Sequence, residues 1–294
     1  MIAILIAMLL PALARALEHA RYVRWQGLSR NLQSDPDVCL YYNLQNDRGN
    51  NVLTNMAFSS PAATDPARLN GMLSSPGVAN TPAPTGSPQL AQFWAQDGRF
   101  HGKPALTFTA GATDLVLFPS QLSMVANLLN TTQQISIAFW IANTSSSNTA
   151  ALFYWQTTQA TRDIGVWVPY SGTIYWAAGT LNGAYGGVSG TVPPSPKWQY
   201  WVVTKGDGTP QQMSIYENGA LLSPINAWEG NPPQAILNET NYPLWESNYS
   251  TAGPYIGAAP GNYWTGVLDE FCMWSRALTA AEVKQMYDIG NPGQ

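Results

Sequence analysis

The chain has 294 residues, of which 45% are hydrophobic and only 10% are charged, and its net charge is −4 with a pI of about 5.1. Nucleic-acid-binding proteins carry clustered basic faces, so this acidic balance argues against a nucleic-acid partner. The chain has two histidines and two cysteines, none at zinc-ligand spacing, which argues against a zinc site and a Ser-His-Asp triad. Its 12 Trp, 14 Tyr, 25 Gly and 22 Pro are typical of a β-rich protein outside the cytoplasm.

The N-terminal segment is apolar and then amphipathic. Its first 14 residues, MIAILIAMLLPALA, contain no polar side chain, and as a helix they reach about 21 Å, less than the roughly 30 Å hydrocarbon core of a bilayer. Apolar residues then recur at three- and four-residue steps, which predicts one helix to about Leu28, with Pro11 as the point where it can bend. Three interpretations stand: a signal peptide, an assembling helix and a membrane anchor. Ala12-Leu13-Ala14 has the form of a signal-peptide cleavage site, but no positive region precedes the apolar run.

The segment IAILIAMLLPALARALEHARYVRWQGL resembles the N-terminal helix of type IV pilins and type II secretion pseudopilins over about 30 residues. It departs from that family in lacking the glycine before the cleavage point and the acidic residue that follows it. Either the chain begins inside the usual mature helix, or the subunit uses a shortened one. The resemblance implies that copies of the chain assemble through this helix into a filament, and that the helix is in a membrane only before assembly. The assembly residues are then Ile4, Leu5, Met8, Leu9, Leu13 and Leu17.

From Val38 onward the apolar spacing alternates, which predicts short strands. Asn218-Gly219 is a strong hairpin signal because both residues accept positive φ. The segments 57–104 and 223–254 are rich in proline and are expected to be long loops. The predicted strands are 38–44, 106–108, 115–118, 135–141, 151–155, 164–168, 173–177, 200–204, 213–216 and 266–274.

The C-terminal segment Thr279-Ala-Ala-Glu282 has the form of a capping box and predicts a short helix through Tyr287. The strands and this helix resemble the laminin-G-like, concanavalin A-like jelly roll over about residues 37–290. The resemblance implies two antiparallel sheets whose first and last strands are neighbours. We therefore predict an all-β sandwich with a hydrophobic N-terminal helix at 1–34, and a jelly-roll domain at 35–294 that ends in a short helix. The segments that carry the resemblance are DPDVCLYYNL, GRFHGKPALTFTAGATDLVLFP, QISIAFWI, KWQYWVVTKGDGTPQQMSIYENGALL and YIGAAPGNYWTGVLDEFCMWSRALTAAEVKQMY.

The carboxylates do not form a catalytic pattern. Glycoside hydrolysis needs two carboxyl groups flanking the scissile bond, and the chain has no Glu-x-Asp-x-Glu run. Asp269 and Glu270 are adjacent, so on a regular strand they point to opposite faces. We therefore predict that the protein is not an enzyme. In relatives of this fold an aspartate of the last strand binds a structural calcium ion, and the resemblance implies that role for Asp269. Asn46 and Asp47 of the first loop are the candidate partners. The alternative is that Asp269 and Glu270 only cap turns or pair with Arg276.

Aromatic residues and cysteines supply the remaining candidate sites. Trp167 and Trp176 lie on neighbouring predicted strands, with Tyr170 between these strands. The three residues are the candidate ligand face, where flat rings stack on sugars; the alternative is that each tryptophan belongs to the core. Cys39 and Cys272 lie on the first and last strands, so a disulfide between them and two buried free thiols are both open.

Two functions compete. The first is a structural subunit of an extracellular, pilus-like filament, in which the helix forms the core and the jelly roll is displayed for adhesion or glycan binding. The second is a secreted or anchored carbohydrate-binding module that does not polymerise. Both predict an extracellular or cell-surface location reached by bacterial-type secretion. The partners are copies of the chain and a glycan or cell-surface ligand.

Overall fold

The computed structural model describes residues 2–59, 69–75, 78–82, 93–95, 97–109, 116–117, 123–142, 151–156, 163–170, 172–181, 184–191, 197–206, 213–223, 226–227, 255–259 and 262–293. The elements in these ranges, in chain order, are α1 (Ile2–Ser34), β1 (Val38–Tyr42), β2 (Val52–Leu53), β3 (Gly71–Ser75), β4 (Val78–Pro82), β5 (Trp94–Ala95), β6 (Ala105–Thr109), β7 (Val116–Leu117), α2 (Ser123–Thr132), β8 (Ile135–Ala142), β9 (Ala151–Gln156), β10 (Asp163–Tyr170), β11 (Thr173–Leu181), β12 (Ala184–Thr191), β13 (Gln199–Lys205), β14 (Met213–Glu217), β15 (Ala220–Leu221), β16 (Asn226–Ala227), β17 (Tyr255–Ile256), β18 (Ala258–Ala259), β19 (Asn262–Tyr263), β20 (Thr265–Trp274) and α3 (Ala280–Gly290).

Two antiparallel sheets form the sandwich. Sheet A has the order β15-β14-β13-β8-β20-β6-β5, and β1 also pairs with β20. Sheet B has the order β16-β12-β11-β10-β9-β17-β7-β3-β2, with β4 beside β3. The pairing of β1 with β20 confirms that the first and last strands of the sandwich are neighbours, in a register that places Tyr41 opposite Cys272. The predicted all-β jelly roll, with a helix at each end, is confirmed.

The main core lies between the sheets. Alternate residues of β8 (Ile135, Ile137, Phe139 and Ile141) are fully buried in it, as their alternation predicts. From sheet B, Trp176 reaches across and donates its indole N–H to the Thr204 carbonyl of sheet A at 3.0 Å.

The outer face of sheet A is also buried, because helices cover it. Ala138 and Trp140, the outward residues of β8, join a second apolar cluster with Leu32 of α1 and with Val283 of α3. Alternation along β8 is typical of a strand with one buried face, yet both faces are buried here, since alternation cannot distinguish a face in water from a face under helices. Helix α1 continues past its predicted end near Leu28 to Ser34, and its second half is part of this layer.

Several regular elements were not predicted, among them β2 to β4, β12 and α2. Strand β12 contains three glycines in AYGGVSGT, a composition that disfavours strands. Helix α2 is short, and its apolar residues match a buried strand as well as a helix. Strand β2 has only two residues, and β3 and β4 lie in the segment 57–104 that was predicted as a loop. Strands β2 and β3 pair with each other, and β3 also pairs with β7, so both extend sheet B. Strand β1 ends before Leu44, whose φ of +62° takes the chain out of the sheet.

Candidate functional site

The second half of helix α1 is held on sheet A by one tryptophan. Trp25 is fully buried, and its indole Nε1 lies 3.1 and 3.2 Å from the two carboxylate oxygens of Glu270 on β20. Its ring stacks on Tyr22 with the centroids 5.5 Å apart and lies 5.9 Å from the ring of Phe100. A tryptophan buries a large apolar area while its N–H requires a partner. This contact therefore fixes both the position and the rotation of the helix.

Two arginines of the same half bind backbone carbonyls, one in the last turn of α3 and one two residues beyond its end. Arg21 Nη1 donates to the Pro292 carbonyl at 2.8 Å, and Arg24 donates to the Asp288 carbonyl. The last carbonyls of a helix have no partner within it and carry partial negative charge, so cationic side chains stabilise them. The docked half of α1 is thus bound to a strand and to a helix.

A buried charged cluster lies beneath Trp25. It consists of Arg99, Lys103, Asp269 and Glu270, all at most 7% exposed. The Lys103 ammonium donates to the Asp269 carboxylate, and also to the Asp269 backbone carbonyl at 3.0 Å. The Arg99 guanidinium pairs with Glu270 and places its Nε 3.6 Å from Asp269 Oδ1. Two cations and two carboxylates balance, as buried charges require.

Aromatic rings complete the surroundings of the two cations. The Arg99 guanidinium carbon lies 4.6 Å from the ring centroid of Trp140, and Lys103 Nζ lies 4.8 Å from that of Trp25. Such contacts are favourable because the face of an aromatic ring is negative. They compensate for Arg99 Nε and Nη1, which have no hydrogen-bond partner within the described structure. Burial lowers the pKa of Lys103, and the charge of Asp269 opposes this effect.

A β-bulge explains why two adjacent carboxylates reach one arginine. The register between β20 and β8 shifts between Leu268 and Glu270, so Asp269 is an extra residue opposite β8. The expectation that Asp269 and Glu270 face opposite sides is therefore wrong at this position. The bulge turns Asp269 toward Lys103 and leaves Glu270 facing the helix layer.

The residues predicted for calcium do not fit that ion. The Asp269 carboxylate accepts from Lys103 and, at 2.7 Å, from the backbone N–H of Arg99, so it already has a cationic partner. Asp47 is buried and accepts from Thr54 Oγ1 at 2.8 Å, while Asn46 is exposed. Burial raises the pKa of Asp47, and Thr54 opposes this effect. Among the described residues, no three acidic, histidine or cysteine side chains are grouped as a metal site requires.

The first half of helix α1 stands clear of the sandwich. Every side chain from Leu9 to Leu17 is exposed. The side chains of Ile4, Leu5 and Met8, which belong to the predicted assembly surface, lie outside the described residues. No helix in the described part of the chain combines the length and the apolarity of a membrane-spanning segment. The leucines of the first half are exposed by 64% (Leu9), 59% (Leu10), 57% (Leu13) and 50% (Leu17).

A groove lies where the exposed half joins the docked half. It has a volume of about 630 Å³, and its lining includes Arg15, Glu18, Asp97 and His101. An adjoining hollow of about 180 Å³ shares Arg15, Glu18 and His101 and adds the rings of Tyr22 and Phe100. The groove is therefore polar on one side and aromatic on the other.

The predicted aromatic face is divided between the surface and the core. Trp167 is partly exposed on the outer face of sheet B, where it pairs with Tyr175 and its ring lies over Gly165. Trp176 is fully buried between the sheets, so its assignment to a ligand face is wrong. Residues alternate along β11, and the outward position is that of Tyr175. Tyr170 ends β10, and its side chain lies outside the described residues.

The predicted disulfide is absent, and both cysteines are free and buried. Cys39 lies at an irregularity of β1 and faces the main core, whereas Cys272 faces the helix layer and has Tyr41 opposite it. The neighbouring strands are as predicted, but the side chains are on opposite faces. Burial raises the pKa of Cys39 to about 12, so its thiol stays protonated and unreactive.

Sequence reasoning did not identify Trp25 or the charged cluster. A usable signal was the pair Asp269-Glu270 within an otherwise apolar strand, because buried carboxylates require cations. A second was Arg99 and Lys103 in a segment assigned largely to a loop. Their pairing across about 170 residues is a tertiary contact that no local pattern reports.

Comparisons with known proteins agree with this geometry. The laminin G family model described as the concanavalin A-like lectin/glucanases superfamily matches residues 111–284. Curated protein sequences give no match. The receptor-binding domain of botulinum neurotoxin C/D mosaic serotype aligns with a TM-score of 0.54 and 12% identity, over 86% of this chain and 51% of that one. The chain thus spans about half the length of the neurotoxin binding domains it matches.

Two further structures align over most of the chain. Domain 4 of AbnA, an extracellular arabinanase from Geobacillus stearothermophilus, has a TM-score of 0.50 and 13% identity, and it covers 85% of this chain and 98% of its own. The sialidase of Trypanosoma rangeli has a TM-score of 0.50 and 9% identity, over 91% of this chain and 38% of its own. At such low identity these alignments show a shared fold and no more.

Proposed function

Because the chain belongs to the concanavalin A-like lectin/glucanases superfamily and carries a helix that is only half docked, we propose that it is a structural subunit of an extracellular, pilus-like filament. The exposed half of helix α1 forms the filament core with copies of itself. The lectin-like jelly roll is displayed outside, where it serves adhesion or glycan binding.

The exposed leucines carry this proposal. Leu9, Leu13 and Leu17 follow one another at four-residue steps, so they form one stripe along the helix. Each is at least half exposed, and burial would stabilise each by ~1 kcal/mol or more. An exposed apolar patch of this kind marks an interaction site.

The docking of the second half makes the stripe available to a partner. A helix turns by about 100° per residue, which places Leu9 about 160° and Leu17 about 80° around the axis from Trp25. Trp25 is anchored to Glu270, so the helix does not rotate to bury the leucines against its own sandwich. The same stripe on another copy has matching length and chemistry, and contacts that do not close produce a helical filament.

The test is electron microscopy of purified protein with two matched substitutions. Leu13→Arg and Leu221→Arg place the same charge at leucines that are 57% and 55% exposed, the first on α1 and the second on β15. We expect filaments from the wild type and from Leu221→Arg, and none from Leu13→Arg, with equal melting temperatures for all three. Filaments from Leu13→Arg would contradict the proposal, and so would their loss in Leu221→Arg.

A truncation complements the substitutions and must stop before the docked half. Removal of residues 1–16 keeps Glu18 and Trp25 in place, so we expect a folded monomer. A longer deletion that removes Trp25 would expose Glu270 and the charged cluster. The truncated protein would then be less stable for a reason unrelated to assembly.

The second candidate function, glycan binding, rests on the partly exposed pair Trp167 and Tyr175. One similar structure is an arabinanase domain in complex with arabinotriose, and another is a neurotoxin binding domain in complex with SialylT. We expect Trp167→Ala to abolish binding of arabinotriose or of a sialylated oligosaccharide. Trp198→Ala, at a half-buried tryptophan beside sheet A, is the control. Binding that survives in Trp167→Ala would place any glycan site elsewhere.

A further inference from the structure

The groove between the exposed and docked halves of helix α1 contains one arginine whose side chain has no partner among the described residues. Arg15 lines both parts of the groove. Within the described residues it forms no hydrogen bond and no ion pair, in contrast to Arg21 and Arg24 on the same helix. A guanidinium presents a planar fork of donors that matches phosphate oxygens.

The acidic side chains of the groove are already occupied. Glu18 Oε1 accepts from the backbone N–H of His101 at 2.8 Å. Asp97 accepts from the backbone N–H of Gly102 at 2.7 Å and lies 3.2 Å from His101 Nδ1. The Gly102 N–H, together with His101, lowers the pKa of Asp97, so its charge is stabilised inside the loop. Beside Arg15, the lining offers an anion the imidazole of His101, which is 81% exposed, and that of His19.

The groove lies at the end of the apolar segment. Arg15 is the first charged residue of the chain, and the leucines at positions 9, 10 and 13 precede it. At a rise of about 1.5 Å per residue, Arg15 lies ~3 Å beyond Leu13 and ~9 Å beyond Leu9 along the axis. When these leucines enter hydrocarbon, the groove is held at the level of the lipid headgroups, where basic residues are favoured by anionic lipids.

We propose that this groove binds the phosphate of an anionic phospholipid through Arg15 while the exposed half of α1 is inserted in the membrane. The inference rests on the exposed half helix and not on polymerisation. Failure of filament formation would therefore leave it intact, and failure of lipid binding would leave the filament proposal intact.

The test measures cosedimentation with vesicles of phosphatidylcholine alone and of phosphatidylcholine mixed with phosphatidylglycerol. The variants are Arg15→Gln and Arg30→Gln, which remove the same charge from two exposed positions of one helix that are about 22 Å apart. We expect the wild type and Arg30→Gln to prefer the anionic vesicles. Arg15→Gln should lose about fivefold of that preference, with binding to neutral vesicles and the melting temperature unchanged.

Three results would overturn the proposal. Equal losses in Arg15→Gln and Arg30→Gln would mean a diffuse attraction of the helix to negative charge. Loss of the preference when inorganic phosphate is added, at constant ionic strength, would mean a site for a soluble anion. Sedimentation of the wild type without vesicles, and with no response to phosphatidylglycerol, would mean that other copies of the chain, and not lipid, cover the exposed half of the helix.

Discussion

Replacing Lys103 by methionine tests whether the charged cluster holds the helix layer on the sandwich. Methionine keeps the length and the apolar stem of lysine but removes the ammonium that contacts the Asp269 carboxylate and backbone carbonyl. Breaking a buried ion pair costs about 3–5 kcal/mol, because one charge remains buried without its partner. The backbone N–H of Arg99, 2.7 Å from Asp269, still offsets part of the charge. We therefore expect the free energy of unfolding to fall by ~3 kcal/mol.

The assay is urea unfolding followed by tryptophan fluorescence, with Lys284→Met as the matched control. Lys284 pairs with Asp288 on the surface of α3, and exposed pairs contribute less than about 1 kcal/mol. With a slope of about 3 kcal/mol per molar urea, Lys103→Met should lower the midpoint by ~1 M. Addition of calcium or of a chelator should not move the wild-type midpoint. A shift in Lys103→Met no larger than in Lys284→Met, or a wild type stabilised by calcium, would refute this reasoning.

Two further predictions concern the helices. Trp25→Ala should destabilise the protein by about 3–5 kcal/mol. Trp25→Phe should cost about 1–3 kcal/mol, because it removes one donor from the buried Glu270 carboxylate, which keeps those of Arg99 and Tyr41. Hydrogen exchange over residues 20–32 reports whether α1 has undocked. Partial burial would raise the pKa of Glu282, but hydrogen bonds from Arg276 and Thr279 outweigh it and lower that pKa to about 2. The stabilisation is therefore complete above an unfolded pKa of 4.5 and is lost as the pH falls toward 2. Acid unfolding curves should show this loss in the wild type and not in Glu282→Gln.

Among the described strands of seven or more residues, all except β12 were predicted, because their alternation is long enough to read. Strands β8, β13 and β20 have seven or more residues, and each was found. The capping box was also found, because Thr279 and Glu282 act within one turn of helix: Glu282 N–H donates to Thr279 Oγ1 at 3.3 Å, and Thr279 N–H donates back to Glu282. Strand β12 was not found, because its side chains are mostly too small to produce a pattern.

The candidate sites depended on register, which local sequence does not report. A one-residue change along β11 separates Tyr175 on the surface from Trp176 in the core. The bulge at Asp269 brings two carboxylates to Arg99. Cys39 and Cys272 lie on paired strands, as expected, yet an irregularity in β1 turns them to different faces. Each of these outcomes follows from a single residue of offset.

Helix α1 shows why amphipathicity alone does not predict which face is buried. Its leucines form one apolar stripe, and Trp25 and Leu32 form another that starts later in the chain and lies on a different side of the axis. Among the described residues the sandwich contacts only the second stripe, because sheet A and α3 extend along the docked half of the helix. The leucines are therefore exposed because the helix extends about 24 Å beyond the domain, and not because the domain is poorly packed. A second copy of the chain and an anionic lipid are the two partners proposed for this exposed half of the helix, and Leu13→Arg and Arg15→Gln test them separately.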